Sequence, residues 1–365
     1  MRNPMHSICP YFAMFPESFV QKQLLAYSRP GEKLFDPFCG RGTTILEGLL
    51  NRREVIGTDI NPVAACIAGA KADIPTLSKV LDRLDDLERR FASSSPRRGP
   101  TAEFFRVCYS ERTLQHVLHL KANLAWKTDQ VDRFIAAMTL GVLHGESHKT
   151  ELCLSNRMPR TISTKPEYSI RWWRERGLEA PDRDAFDVLK RTAVFRFAGE
   201  LPQSKGDVAL GDARDAGEML KTHEGTVALV VTSPPYLDTT DDAEDQWLRL
   251  WFLGGPERPS ARMHRDDRHT NPTHYWDFLS EVWAGGASLL RQDSHFVVRI
   301  GGTKLAKTDL FAGVYSSLLK GLGGRTVKPL HEGETSSIRK RQTNSFRPGT
   351  SPERAEHDFA FVVSA

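Results

Sequence analysis

The run Thr226-Val227-Ala228-Leu229-Val230-Val231 carries no polar residue after its first position. Read as a strand, it has no face to give to water, so it must be covered on both sides. That is the condition of a parallel sheet held between layers of helices. Shorter runs of the same kind lie at Lys33-Leu34-Phe35-Asp36, Glu54-Val55-Ile56-Gly57-Thr58-Asp59, Asp207 to Asp212, Phe296 to Ile300 and Phe359 to Val363. Thr43 to Asn51 reads as a helix after the first strand, and Leu77, Leu81, Leu84 and Leu87 fall at helical spacing with charges between them. Strands alternating with helices predict an α/β fold built on a doubly wound sheet.

Ser93-Ser94-Ser95-Pro96-Arg97-Arg98-Gly99-Pro100 is a turn-rich break, and strand patterns are scarce from there to about residue 200. The expected organisation is a core of residues 1–92, a mainly helical insertion over 93–206, and a second part of the core over 207–365. With 39% apolar and 26% charged residues the composition is that of a globular protein. No stretch reaches the roughly 18 apolar residues of a membrane helix. Met1-Arg2-Asn3-Pro4 lacks the apolar core of a signal peptide, which gives the cytoplasm as the expected location. Five scattered cysteines without a C-x-x-C pair argue against a disulfide framework or a zinc site, and no metal is expected. A net charge of +4 allows a nucleic-acid partner without requiring one.

Asp36-Pro37-Phe38-Cys39-Gly40-Arg41-Gly42-Thr43-Thr44 sits where the first strand turns into its helix. Glycines there let a ligand approach the backbone, and in a doubly wound sheet ligands collect at the carboxyl ends of strands. Asp59 ends the next strand 23 residues later, placed to accept hydrogen bonds from ribose hydroxyls. The third glycine of a dinucleotide fingerprint is missing, which disfavours NAD.

The nonapeptide resembles the cofactor motif of the S-adenosylmethionine-dependent amino-methyltransferases that act on DNA bases. This implies a Rossmann-like class I methyltransferase sheet, mostly parallel with a final antiparallel strand. It also implies cofactor contacts from Asp36, Pro37, Phe38, Cys39, Gly40, Gly42, Thr43 and Thr44. Tyr11 to Glu17 resembles the segment closing over the methionine end of the cofactor, implying roles for Phe12 and Phe15. Gly57 to Pro62 resembles the ribose-binding strand end, with Asp59 and Ile60. Leu210 to Arg214 resembles the segment in which an acid contacts the adenine amine, with Asp212 and Ala213.

Val230-Val231-Thr232-Ser233-Pro234-Pro235-Tyr236 delivers a polar-Pro-Pro-aromatic tetrapeptide at the end of the most buried strand. The exocyclic nitrogen of a base is a poor nucleophile because its lone pair is delocalised into the ring. Acceptors that grip its N–H bonds localise that pair; the Ser233 hydroxyl and the Pro234 carbonyl supply two. Pro234 and Pro235 fix φ and remove competing donors. Tyr236 offers a face on which a base stacks, worth roughly 1–3 kcal/mol. A duplex substrate would have to flip its base into such a pocket.

Within the resemblance, a serine in first place implies cytosine N4 as the target in DNA. Adenine N6 and an RNA target, such as tRNA guanine N2, stand as alternatives, and a non-enzymatic nucleic-acid-binding protein as a third. The cofactor motif precedes the catalytic motif here, whereas many Ser-Pro-Pro-Tyr enzymes have the opposite order, so the target base stays open. A cognate restriction endonuclease is a candidate partner.

Arg157, Arg160, Lys165, Arg171, Arg174 and Arg176 are interleaved with Tyr168, Trp172 and Trp173. Cations attract phosphates and exposed aromatics stack on bases, so this stretch is a candidate target-recognition region. The alternative is a helix with core tryptophans and solvated arginines. Arg339, Lys340, Arg341 and Arg347 form a second basic cluster for phosphate contact, and Arg258 to His269 a candidate flap. The acidic run Asp238, Asp241, Asp242, Glu244 and Asp245 is expected to be a solvated loop. Trp247, Leu248, Leu250, Trp251 and Leu253 read as a packed helix.

Overall fold

The computed structural model describes residues 2–11, 15–146, 152–158, 166–237, 242–258, 272–301, 305–331, 333–337 and 355–365. In chain order the first elements are α1 (Glu17–Tyr27), β1 (Lys33–Asp36), α2 (Thr43–Leu50), β2 (Glu54–Asp59) and α3 (Pro62–Ala72). A helical stretch follows with α4 (Leu77–Ala92), α5 (Glu103–Cys108), α6 (Glu111–Asn123) and α7 (Gln130–Val142). Two short paired strands, β3 (Gly145–Glu146) and β4 (Arg157–Met158), precede α8 (Pro166–Arg174) and α9 (Ala185–Arg196). The chain then returns to the sheet with β5 (Asp207–Leu210), α10 (Ala216–Met219) and β6 (Val227–Thr232). It ends with α11 (Asp242–Phe252), α12 (Pro272–Gly286), β7 (Leu290–Gly301), α13 (Lys307–Gly321), β8 (Thr326–Pro329), β9 (Glu334–Ser337) and β10 (Ala355–Ser364).

The main sheet runs β5-β2-β1-β6-β7-β10-β8, with β9 paired to β10. The pairs from β5 to β7 are parallel, and β10 is antiparallel to β7, β8 and β9. This is the doubly wound sheet with a final antiparallel strand. Successive strand residues divide between its two faces, as the period of two requires. Phe35, Ile56, Val230, Phe296, Val298, Phe359 and Phe361 pack toward α12 and α13. Leu34, Val55, Leu229, Val231, Val297 and Ala360 pack toward α1, α2 and α3. Both faces are covered, which is why β6 shows no alternation.

The helices between α3 and β5 form a further layer with an apolar cluster of its own. Val80, Leu84 and Leu87 of α4 join Phe104, Phe105, Leu120, Phe134, Phe186 and Leu189 there, along with Trp247 and Trp251 of α11. Both of those tryptophans are buried, as the packed-helix reading expects. β7 and β10 extend beyond the apolar runs that mark them in sequence. Their ladders continue through polar residues because side chains pair across them: Arg299 donates to both oxygens of Asp358 at 2.6 and 2.8 Å. Among the described residues, no helix is long and apolar enough to cross a membrane.

Parallel strands put all their carboxyl ends at one edge of the sheet. Asp36, Asp59, Leu210, Thr232 and Gly301 therefore end β1, β2, β5, β6 and β7 side by side. β10 runs the other way, so its first residues reach the same edge, with Glu356 opposite Gly301.

Candidate active site

Between β1 and α2 the chain turns through Gly40 at φ +51° and Gly42 at φ +73°, the left-handed region where a Cβ is disfavoured. The two glycines serve different ends. A Cβ on Gly42 would lie 2.8 Å from the Ala68 Cα of α3, so Gly42 lets the loop sit on that helix. A Cβ on Gly40 would meet nothing nearer than Tyr11 at 3.9 Å, so here the backbone presents an open face. Lys71 of α3 is fully buried and donates to the Arg41 carbonyl at 2.6 Å, clamping the loop from below. Burial, then the Arg41 charge, hold the Lys71 ammonium well below its ordinary value.

Asp59 meets this loop from the neighbouring strand. Its Oδ2 accepts from the Gly40 N–H at 2.8 Å and its Oδ1 from the Asn61 N–H at 2.9 Å. The Asn61 side chain accepts from the Val63 N–H as the N-cap of α3 and donates to the Tyr11 hydroxyl at 3.4 Å. Ile60 is 66% exposed, an apolar side chain held at the lip of the edge. Asp212 follows β5, whose Leu210 pairs with Asp59. Arg214 donates to Asp212 through its backbone and guanidinium, at 2.7 Å in the shortest bond. The hydrogen bonds to Asp212, then those to Glu281, raise the Arg214 proton affinity. Ala213 is buried beside them.

An open glycine backbone, a carboxylate locked to it and an exposed apolar side chain suit a nucleoside with a zwitterionic tail. By that measure the residues present fit S-adenosylmethionine. Of the other expected contacts, Phe15 is buried with its ring edge-on to Phe19 at 5.2 Å, and Cys39, Thr43 and Thr44 are buried within the loop and α2. Phe38 packs toward Phe278 of α12 at 6.0 Å. Pro37 accepts from the Thr58 hydroxyl at 2.9 Å through its carbonyl. Phe12 lies outside the described residues.

Asp36 is wholly buried, and its side chain turns sideways along the sheet. Oδ1 accepts from the Thr232 hydroxyl of β6 at 2.7 Å and from the Phe38 N–H at 3.1 Å. The Thr44 hydroxyl lies beside the carboxylate but donates to the Val231 carbonyl at 3.5 Å. Burial pushes the Asp36 carboxyl up to about 6, against the opposing pull of Thr232, Thr44 and Phe38. Asp36 thus ties the glycine loop to the residue immediately before Ser233.

Ser233, Pro234, Pro235 and Tyr236 follow at the same edge, partly or fully covered. The Ser233 hydroxyl donates to the Tyr236 hydroxyl at 3.3 Å, which donates to Glu356 of β10 at 3.0 Å. Burial, then the Glu356 carboxylate, push the Tyr236 phenol up, so it keeps its proton. Arg299 stands 3.4 Å from Glu356 and lies 3.8 Å over the Phe19 ring. Burial works against the Arg299 charge, but the Asp358 hydrogen bonds and both carboxylates outweigh it and raise its proton affinity. Gly301 makes room for this arrangement, since a Cβ there would lie 3.2 Å from both Tyr236 Cε2 and Glu356 Cγ. Arg299, Gly301 and Glu356 carry no motif of their own, while Tyr11, Asn61 and Arg214 lie within the resemblance segments without a role being implied for them. For Glu356 and Arg299, acids and bases at matched positions of two adjoining strand patterns were the signal available.

The basic stretch of the insertion is more mixed than its sequence. Trp173 is 0% exposed and donates to the Arg157 carbonyl at 3.0 Å, so it is core. Arg174 pairs with Glu103, Arg171 lies 5.8 Å over the Tyr168 ring, and Arg176 lies 4.3 Å over Trp172. Arg160, Lys165, Arg339, Lys340, Arg341 and Arg347 lie outside the described residues, as do 259–269 of the expected flap and Asp238 and Asp241 of the acidic run, whose Asp242, Glu244 and Asp245 belong to α11 rather than to the loop expected. Among the described residues no group of three potential metal ligands occurs.

Residues 3–68 match the DNA methylase family. Over 57 residues the chain is 46% identical to the Type II methyltransferase M.MvaI of Kocuria varians, covering 16% of this chain and 13% of that protein. It is 41% identical over 59 residues to the orphan methyltransferase M.BamHII of Bacillus amyloliquefaciens, covering 16% and 22%. The matched segments therefore span under a quarter of those relatives. Among solved structures, an rRNA methyltransferase, aviRa, from Streptomyces viridochromogenes aligns over 99% of this chain and 93% of its own, at 13% identity and a TM-score of 0.36.

Proposed function

We propose that this chain, whose residues 3–68 match the DNA methylase family, transfers a methyl group from S-adenosylmethionine to the exocyclic N4 amine of cytosine in DNA. The observation that carries the reading is the 2.7 Å bond from Thr232 to Asp36, which joins the glycine loop to the Ser-Pro-Pro-Tyr segment. That bond brings two motifs far apart in sequence to one edge of the sheet.

The cofactor supplies an electrophilic methyl on a sulfonium. Gly40, Asp59 and Ile60 would hold its ribose and neighbouring groups, and Asp212 with Ala213 its base. The chain's own part is to present the amine. Ser233 Oγ and the Pro234 carbonyl accept its two N–H bonds, which returns the lone pair to the nitrogen and aims it. Tyr236 stacks on the flipped base. The helical segment 93–206 is the proposed target-recognition region, with Arg157 and Arg171 among its described cations and Arg174 already paired to Glu103. A cognate restriction endonuclease as partner rests on the resemblance.

The test supplies S-adenosylmethionine with an isotopically labelled methyl and, separately, DNA and RNA, each then digested to nucleosides for mass spectrometry. Label in N4-methyldeoxycytidine is the expected result. Label in N6-methyldeoxyadenosine would move the target base, label in RNA alone would overturn the DNA substrate, and no label in either would overturn the activity.

A further inference from the structure

A serine hydroxyl carries one hydrogen and two lone pairs, so alone it can accept from an amine or donate to a carbonyl oxygen. Cytosine and adenine present an exocyclic amine where uracil, thymine and guanine present an oxygen. A site that uses serine to grip an amine therefore needs something to decide which way its hydroxyl points. The Ser-Pro-Pro-Tyr sequence does not contain that element; the neighbouring strand does.

We propose that Glu356 sets the direction of the hydrogen-bond chain through Tyr236 and Ser233, so that Ser233 meets the target base as an acceptor and the site selects an amine over a carbonyl oxygen. The inference rests on the methyltransferase reading above and deepens it. The Tyr236 hydroxyl donates to the Glu356 carboxylate at 3.0 Å, so its single hydrogen is committed there. The Tyr236 oxygen is then left to accept, and the hydrogen of Ser233 is committed to it at 3.3 Å. Both Ser233 lone pairs remain for the substrate.

The source of the polarity is itself fixed. Arg299 stands 3.4 Å from Glu356 and is held by two bonds to Asp358. Gly301, opposite Glu356 in the β7–β10 ladder, leaves the space that lets the carboxylate and the phenol meet. Glu356 is thus a positioning residue that acts through Tyr236, without touching the substrate.

Glu356→Gln is isosteric, but its amide can donate to the phenol as well as accept, which releases the constraint. Turnover is measured with labelled S-adenosylmethionine and unmethylated DNA made by PCR, on wild type, Glu356→Gln, Tyr236→Phe and the double variant. The expected result is a tenfold or larger loss of kcat in Glu356→Gln with the KM for S-adenosylmethionine within twofold of wild type. In the Tyr236→Phe background the chain is already cut, so Glu356→Gln should add less than twofold. A Glu356→Gln enzyme within twofold of wild-type kcat would overturn the proposal. So would an undiminished loss in the Tyr236→Phe background, which would assign Glu356 to the ladder and Arg299 alone. A wild-type protein that labels neither cytosine nor adenine amines would instead overturn the functional reading, and this inference with it.

Discussion

Replacing Asp36 by asparagine should make the ligand-free protein more stable as the pH rises. The Asp36 carboxyl is fully buried and its proton affinity is displaced from 3.8 to about 6, burial outweighing the donors around it. The folded-state value lies above the unfolded one, which fixes the sign. Below about pH 4 both states are protonated and the group costs nothing; as the pH climbs through 6 the unfolded chain gains more from ionisation than the folded one. At about 1.4 kcal/mol for each pH unit, the stability lost by pH 8 is about 3 kcal/mol. Asparagine stays neutral throughout, and its oxygen still accepts from Thr232 and Phe38. The burial of its amide nitrogen is independent of pH, so it moves the whole curve without bending it. For 365 residues at about 2.1 cal/mol/K each, 3 kcal/mol corresponds to about 4 °C in Tm. The assay is melting followed by circular dichroism at steps from pH 4 to pH 8, for both proteins. The Tm of Asp36→Asn should gain about 4 °C on wild type across that range. A difference that stays flat with pH, or falls, would refute the reasoning about the buried carboxylate.

Gly301→Ala places a methyl 2.9 Å from the Ala355 carbonyl and 3.2 Å from the Tyr236 ring. Overpacking of this kind costs about 1–3 kcal/mol, and with the ring displaced kcat should fall at least tenfold in labelled-methyl turnover; normal turnover would show that the ring position is not critical. Asp59→Ala removes the acceptor for both the Gly40 and Asn61 N–H groups, so calorimetric titration should show S-adenosylmethionine binding weakened at least tenfold. Unchanged affinity would end the cofactor role assigned to Asp59.

The sheet was legible in the sequence because its central strands are buried on both faces. The bounds of β1 and β2 follow directly from the ends of their apolar runs, Lys33–Asp36 and Glu54–Asp59. β7 and β10 were only half legible, since a strand whose polar residues are satisfied by a partner strand loses its apolar signature. Asp358 reads as the polar stop just before the run Phe359 to Val363, yet in three dimensions it is a buried partner of Arg299 inside β7. The insertion misleads for a related reason. An arginine next to a tryptophan reads alike whether the indole faces a base or the core, and only packing against Phe104 at 5.7 Å identifies Trp173 as core. Both motifs of the candidate site were visible, each being local and rich in glycine or proline. The link between them was not. Asp36 reads as a ligand contact, yet its carboxylate faces Thr232, 196 residues away in the chain. Glu356 is equally silent, because its meaning comes from standing beside Gly301 and Tyr236.

The position of β10 between β7 and β8 also bears on how this chain reaches its folded state. β8 is synthesised before β10 but has no place in the sheet until β10 has paired with β7. At roughly 5–20 residues per second, a ribosome needs a few seconds to make the stretch from β8 to β10. During that interval the rim of β7, with Phe296, Val298 and Ile300, is an open template for any other strand. A stalled or clipped chain that stops short of residue 355 would be left in that condition, and adhesion to other copies is its expected fate. Pairing of β10 also brings Glu356 opposite Gly301, so the same step that closes that rim would complete the candidate site.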